Sequence, residues 1–221
     1  MLQVTTAWRE TYPGACLGLL AVDGVVNPEC HERLETRKSE LEELLRAQYR
    51  TREELLACGP VNAYREYYKR FGKTYPVLLQ MESVAVKGKS FPRTAALVEA
   101  MFMAEVKNGL LTAGHDLDRI EKPLTLDVAA DGENFTGIGG REQATKSSDM
   151  LMRDGAGIIS SILCGPDHRT RITAATTRAL FVVYAPPGVD RPLVEQHLGE
   201  IHANVKLIAP AATLEYQDII R

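Results

Sequence analysis

The four cysteines, Cys16, Cys30, Cys58 and Cys164, are scattered, and no two form a CxxC pair. A disulfide framework and a zinc ribbon are both excluded, and free thiols in a reducing cytoplasm are the expectation. No apolar run approaches the length that spans a bilayer, and the N-terminus has no basic-then-apolar signal pattern, so no membrane partner is expected. The five histidines make no HxxxH pair and none meets a cysteine at ligand spacing, which argues against a metal site. No GK[ST] follows Gly137–Glu142, a Rossmann fingerprint is missing, and no GxSxG elbow occurs. Internal repeats and low-complexity linkers are absent too. A net charge of −3 excludes a wholesale polyanion binder but leaves room for a local basic face. No DNA partner is expected.

What remains is a chain of 221 residues, enough for one large core. Its densest β signal runs from Asp149 to Tyr184. LMRD ends at Asp154-Gly155, Gly157–Gly165 is apolar with Ser160 and Ser161 inside it, and Ala179–Tyr184 is β-branched and aromatic. RTRITAATTR, crowded with hydroxyls and arginines, links the last two. Apolar strands joined by a polar connection make a rigid floor with a chemical rim.

Upstream, Leu2–Thr5 reads as a first strand, and Cys16–Asn27 as a hairpin or a strand running into a loop. Asn27 and Pro28 read as the N-cap and first position of a long charged helix to Arg50 with a narrow leucine stripe. Thr51–Glu54 is a capping box, and Cys58-Gly59-Pro60 a stop. Helices are expected over Asn62–Phe71, from Pro76 to Gly88, and from Phe91-Pro92 to Gly109. After Gly109 the chain turns to β. Asp190 caps a last helix over RPLVEQHLGEIHA, VKLIA reads as a strand, and a short tail follows. The order predicts an α+β fold: N-terminal helices packed on a mixed β-sheet or β-sandwich, then a helix and a strand, as one domain over 1–221.

Tyr64, Tyr67, Tyr68 and Phe71 share a helix face, with Arg65 and Lys69 on another. Either the rings pack in the core, or rings and cations form a platform that stacks bases and guides phosphates. Arg169, Arg171 and Arg178 of the loop, with Lys87, Lys89 and Arg93, are either phosphate contacts or solvated surface.

Three segments together resemble the editing module of the phenylalanyl-tRNA synthetase β-subunit, the B3/B4 domain, in its free-standing bacterial form. They are NAYREYYKRFGKTYP; LVEAMFMAEVKNGLLTAGHDLDRI with its closing Asp-Leu-Asp; and GENFTGIGGREQATKSSDMLMRDGAGIISSILCG followed by RITAATTRALFVV. The likeness spans 62–184. Asp116, Asp118, Asp154, Thr173 and Thr176 follow the family pattern. Four positions depart from it: the family's Val-Asp is Val98-Glu99, its Asn falls at Phe102, its pocket histidine at Ala113, and the acidic residue of its last strand at Val182.

The resemblance implies a layered fold, a tRNA partner carrying an aminoacylated 3′ end, and hydrolysis of mischarged aminoacyl-tRNA in trans. No metal or organic cofactor is implied, and no aminoacylation by this chain alone. Aminoacyl esters are activated, so a site that positions the ester, admits water and offers oxyanion donors suffices. His115 is the histidine beside a family motif and the candidate base; alternatively it bonds Asp116 or Asp118 at a turn. Thr173 and Thr176 are candidates to bind a ribose hydroxyl or an α-amino group, or else satisfy local backbone. Asp116, Asp118, Asp154, Ser160 and Gly165 complete the expected substrate site. A non-catalytic module that binds RNA, an amino acid or a nucleotide is the alternative, favoured by Ala113 and Val182.

Overall fold

The computed structural model describes residues 2–221. Along the chain come β1 (Leu2–Val4), α1 (Thr6–Thr11), β2 (Cys16–Asp23), α2 (Glu32–Gln48), α3 (Arg52–Leu56), α4 (Gly59–Arg70), α5 (Pro76–Met81) and α6 (Ala96–Asn108). They are followed by β3 (Thr112–Asp116), β4 (Leu124–Val128), β5 (Asn134–Thr136), β6 (Glu142–Ala144), β7 (Met150–Asp154), β8 (Gly157–Ser161), β9 (Gly165–Pro166), β10 (Arg178–Ala185), α7 (Arg191–Ile208) and β11 (Thr213–Ile220). A π-helical turn, Glu82–Val86, extends α5, and a 3-10 turn, Leu117–Arg119, follows β3.

Two sheets form the β layers. One is mixed, in the order β1-β4-β7-β8-β9, with β1 parallel to β4 and the other pairs antiparallel. The other is antiparallel, in the order β11-β2-β10-β3. The architecture is α+β, as the order of apolar runs predicts. Strand β10 sits inside the antiparallel sheet, and Ala179–Ala185 are all buried. A strand covered on both faces must be apolar on both, which accounts for the unbroken ALFVVYA run. On one face Gly18, paired with Val183, lies under α7. On the other the Tyr184 hydroxyl meets Ser160 of β8 and so ties sheet to sheet.

The tyrosines of α4 settle into the core. Tyr64 and Tyr75 are fully buried and stacked, ring centroids 4.7 Å apart. Each hydroxyl reaches a polar group at the end of an element: Tyr64 to the Tyr184 carbonyl, Tyr68 to the Ile162 carbonyl (2.6 Å), Tyr75 to the Gly109 carbonyl (3.0 Å) and Tyr67 to the Asp149 carboxylate (2.6 Å). The rings therefore fill space and satisfy backbone, and the stacking-platform reading of this face is corrected. Glu99, at the family's acidic position, is likewise structural, binding buried Lys38 of α2 at 2.9 Å and the Thr94 N–H.

Several boundaries differ from the sequence reading. Residues 205–208 of VKLIA are helical, with Ala209 as the C-cap: Val194, Leu198, Ile201, Val205 and Ile208 form one buried stripe at helical spacing that runs on past Gly199. The tail is strand β11. Asn27 does not cap α2, which starts after His31. Its amide instead donates to the Thr173 carbonyl (3.1 Å) while its oxygen accepts from Leu97 N–H (2.9 Å). Helix α6 begins at Ala96, not at Pro92, because 87–95 crosses the helices in irregular conformation, with the Phe91 N–H on Glu42. Gly59-Pro60 opens α4 as well as closing α3, and the Thr51–Glu54 capping box forms as read.

A Cβ built on Gly18 would lie 2.6 Å from Val194 Cγ1 and 3.3 Å from Leu198 Cδ1. Gly18→Ala is expected to lower stability by about 1–3 kcal/mol through overpacking. A urea midpoint equal to wild type would show that α7 does not seat tightly on β2.

Candidate functional site

Two sheets that splay at one end leave a cleft between them. Its volume is ≈ 550 Å³, within the size range of small-molecule sites. Leu19, Ala21 and Leu180 of the antiparallel sheet and Leu2 and Leu124 of the mixed sheet form the floor, and Leu117 and Ile120 the end wall. Lys122, Arg178, Glu215, Tyr216 and Asp218 stand at the mouth. Arg178 is held by Asp118 (2.6 Å) and Glu215 (2.5 Å), with Asp23 at 3.8 Å. It thus belongs to a charge cluster at the rim, and Asp118 serves as its partner. Reading Arg178 as a free phosphate contact is corrected on that ground.

The end wall is held by Asp154. Its side chain is sealed from solvent and accepts from Arg169 on both oxygens at 2.7 Å, from the Glu121 N–H at 2.9 Å, and from Ala156 and Gly157 N–H at the hairpin tip. Burial pushes this carboxyl up, but Arg169 and the backbone donors outweigh it and hold it below the usual range. Arg169 also donates to the Arg119 carbonyl at 2.8 Å. Asp154 and Arg169 therefore join the β7–β8 turn, the Leu117–Lys122 segment and the strand-to-strand link into one unit. Asp154 is thereby fully engaged, with no oxygen left for substrate, and Arg169 is committed to Asp154 and the Arg119 carbonyl, so structural roles replace the expected substrate and phosphate contacts.

Beside the floor lies a buried polar chain. His115, fully buried and opposite Leu180 in the β3–β10 register, has Nδ1 2.7 Å from Thr170 Oγ1. Thr170 donates its one hydroxyl proton to Asp167, which can only accept, so His115 Nδ1 must carry the proton toward Thr170. Nε2 is then a buried lone pair without a partner among the described residues. Burial pulls this imidazole down to about 3. With no path to solvent it meets no attacking water, and the expected base is instead an internal positioning residue for the Asp167–Thr170 link.

The hydroxyls of the Thr-x-x-Thr loop are also engaged. Buried Thr176 donates to Asp116 at 2.8 Å and accepts from the Thr173 N–H at 2.9 Å, and the Thr173 hydroxyl accepts from the Ala175 N–H at 3.3 Å. Asp116 in addition caps the 3-10 turn through the Asp118 N–H. Asp116, Thr173 and Thr176 are thus brought together, but as a loop anchor with Asn27. Ser160 is buried against Tyr184, and Gly165, at φ +77°, turns the chain into edge strand β9. Arg171 donates to the His168 carbonyl, Lys87 pairs with Glu82 at 2.8 Å and Arg65 with Glu66 at 3.3 Å. Lys69, Lys89 and Arg93 are exposed.

Ala113 and Val182, the two apolar departures from the family pocket, are direct cross-strand partners in the β3–β10 ladder, both buried. Two positions far apart in sequence thus meet in space as one facing apolar pair. Sequence reasoning missed the cleft mouth, although Leu214, Tyr216 and Ile220 alternate as a strand does. It also missed Asp167, whose Asp-x-x-Thr spacing is a turn signal. Among the described residues no group of three or more His, Cys, Asp or Glu side chains is gathered to hold a metal, and no helix is long and apolar enough to cross a membrane.

The profile of the B3/4 domain family matches residues 63–192. The chain belongs to that family. This B3/4 chain is 34% identical over 79 residues to the phenylalanine–tRNA ligase β subunit of Oleidesulfovibrio alaskensis, a match covering 34% of the chain and 10% of the ligase subunit. Its fold is similar to an N-terminal fragment of the phenylalanyl-tRNA synthetase β-subunit from Pyrococcus horikoshii, with a TM-score of 0.51 at 12% identity, over 99% of this chain and 53% of that one. The chain thus spans about half of that fragment and a small part of the ligase subunit, as a synthetase-related domain.

Neutral burial of His115 makes a pH prediction. The unfolded chain protonates it below about 6.5, whereas the folded chain resists until about 3. The stability it confers therefore falls as pH drops through that window. Glu105, which burial lifts to about 8, runs the other way, so the informative quantity is the difference between variant and wild type. His115→Asn keeps a donor near Nδ1. Its deficit relative to wild type, from urea unfolding, should narrow from pH 7 to pH 4; a constant deficit would exclude a neutral buried His115.

Proposed function

We propose that this B3/4 chain binds the aminoacylated 3′ end of a tRNA and hydrolyses the ester in trans, in the cytoplasm, with 1–221 acting as one unit. The cleft carries the proposal: an apolar floor for an amino-acid side chain lies beneath a mouth of opposite charges. The cleft is larger than one side chain needs, which leaves room for the terminal ribose. In this reading a water oxygen bonds to the ester carbonyl carbon, the bond to the ribose oxygen breaks, and that oxygen takes the proton. Positioning and water access carry the rate, since His115 is walled off. Floor and Ala113–Val182 pair alike offer nothing to hydrogen-bond a side-chain hydroxyl, so the amino acid is one with a plain apolar side chain.

The sealed histidine also supports a second reading, in which the same cleft binds the aminoacyl end without cleaving it. Deacylation of a panel of mischarged tRNAs separates the two. Trans-editing predicts release of an apolar amino acid above the buffer rate, at least about tenfold slower in Ala21→Leu, which narrows the cleft, and in the surface variant Asp218→Asn. No release from folded protein across the panel would remove the hydrolase and leave the binding module.

A further inference from the structure

Most arginines near the cleft are consumed internally, but four cations elsewhere are not. Lys69 and Arg70 end α4, Lys73 follows the turn at Gly72, and Lys146 lies in the loop between β6 and β7. All four are exposed, and none is ion-paired among the described residues, where Glu66 is taken by Arg65 and Asp149 is buried against Tyr67. The fold brings them onto one surface. Lys146 Nζ donates to the Phe71 carbonyl at 3.0 Å, Lys73 Nζ donates to the Leu163 carbonyl at 3.2 Å, and the Arg70 guanidinium lies 5.6 Å from the centroid of the Tyr12 ring. Tyr12 in turn bonds the Ser148 carbonyl beside Lys146.

Three of the four side chains are therefore held in place, and each ammonium retains further donors after its one bond to a carbonyl. Neutralising the α4 C-terminus accounts for Lys69 and Arg70 alone. It does not account for Lys73 and Lys146 arriving from other segments. A set of held, unpaired cations from three segments, on a chain of net charge −3, matches a polyanion rather than a single carboxylate. Its place is also apt. Strand β7 starts four residues after Lys146, at buried Met150, and ends at Asp154 behind the cleft wall, about 14 Å further on at roughly 3.4 Å per residue.

We propose that Lys69, Arg70, Lys73 and Lys146 form the surface that grips the RNA phosphate backbone while the 3′ end enters the cleft. The inference rests on the tRNA reading above and adds where the RNA body lies. Its test is binding of uncharged tRNA to the full chain across a salt series. The quadruple variant Lys69→Gln, Arg70→Gln, Lys73→Gln, Lys146→Gln is compared with Lys87→Gln, Lys89→Gln, Arg93→Gln on other segments. Loss of four phosphate contacts should weaken binding at least about tenfold at low salt and lower the slope of log K against log salt by about three, while the second variant stays near wild type. If the quadruple variant unfolds, Lys69→Glu, at a side chain that bonds nothing among the described residues, should alone weaken binding several-fold. Tight wild-type binding unchanged in these variants overturns the surface and leaves the tRNA reading standing. Absence of tRNA binding by wild type overturns both, as does retention on anionic vesicles without retention of RNA.

Discussion

One carboxylate organises the end of the molecule where the sheets meet. Asp154 is sealed from water and carries a charge that only complete pairing makes tolerable there. Loss of Arg169 would leave that carboxylate with its backbone donors alone, a destabilising change because a buried charge is costly without a counter-charge. Here the partners come from three places: Arg169, the backbone at Glu121, and the tip of its own hairpin. Satisfying a single side chain thereby fixes the relative position of the mixed sheet, the segment leaving β3, and the connection that crosses from β9 toward β10. The cleft has a rigid end wall because Asp154 has no other way to be satisfied.

Polar residues that stand out in the sequence loop turn out to be means of holding shape. Asp116, Thr173 and Thr176 close on each other and on Asn27, and His115 completes a chain from Asp167 through Thr170. Chemistry at the cleft then depends on space and on rim charge rather than on a proton acceptor at the floor. That agrees with the apolar character of Ala113 and Val182, which face each other across β3 and β10.

Strands β7, β8 and β10 were legible because each is an apolar run close to glycine or proline and lies where period and turn residues put it, whereas β11, with most of its residues exposed, was read as a tail. The end of helix α7 was not legible, since Val205 and Ile208 read as strand only when detached from Val194, Leu198 and Ile201, whose stripe they continue. The residues that follow the family pattern were visible, but their roles were not. Asp154 is defined by Arg169 and Glu121, and Asp116 by Thr176, partners that only folding brings near. Cross-strand register, which makes Ala113 and Val182 neighbours, cannot be read from spacing of about seventy residues. Tyr64, Tyr67 and Tyr68 show the same limit: helical spacing puts them on one face, and only packing decides that the face points inward.

Strand β11 forms one lip of the cleft, yet it hydrogen-bonds to β2 alone, with an irregularity between Leu214 and Tyr216 and most of its residues exposed. An outermost strand of this kind peels away at a far smaller free-energy cost than global unfolding. The entrance thus lies along an edge strand, and the ion pair from Arg178 to Glu215 fastens that edge across β2. A ligand that reached Glu215 would compete with Arg178 for it, so binding at the mouth and fastening of the edge strand draw on the same carboxylate.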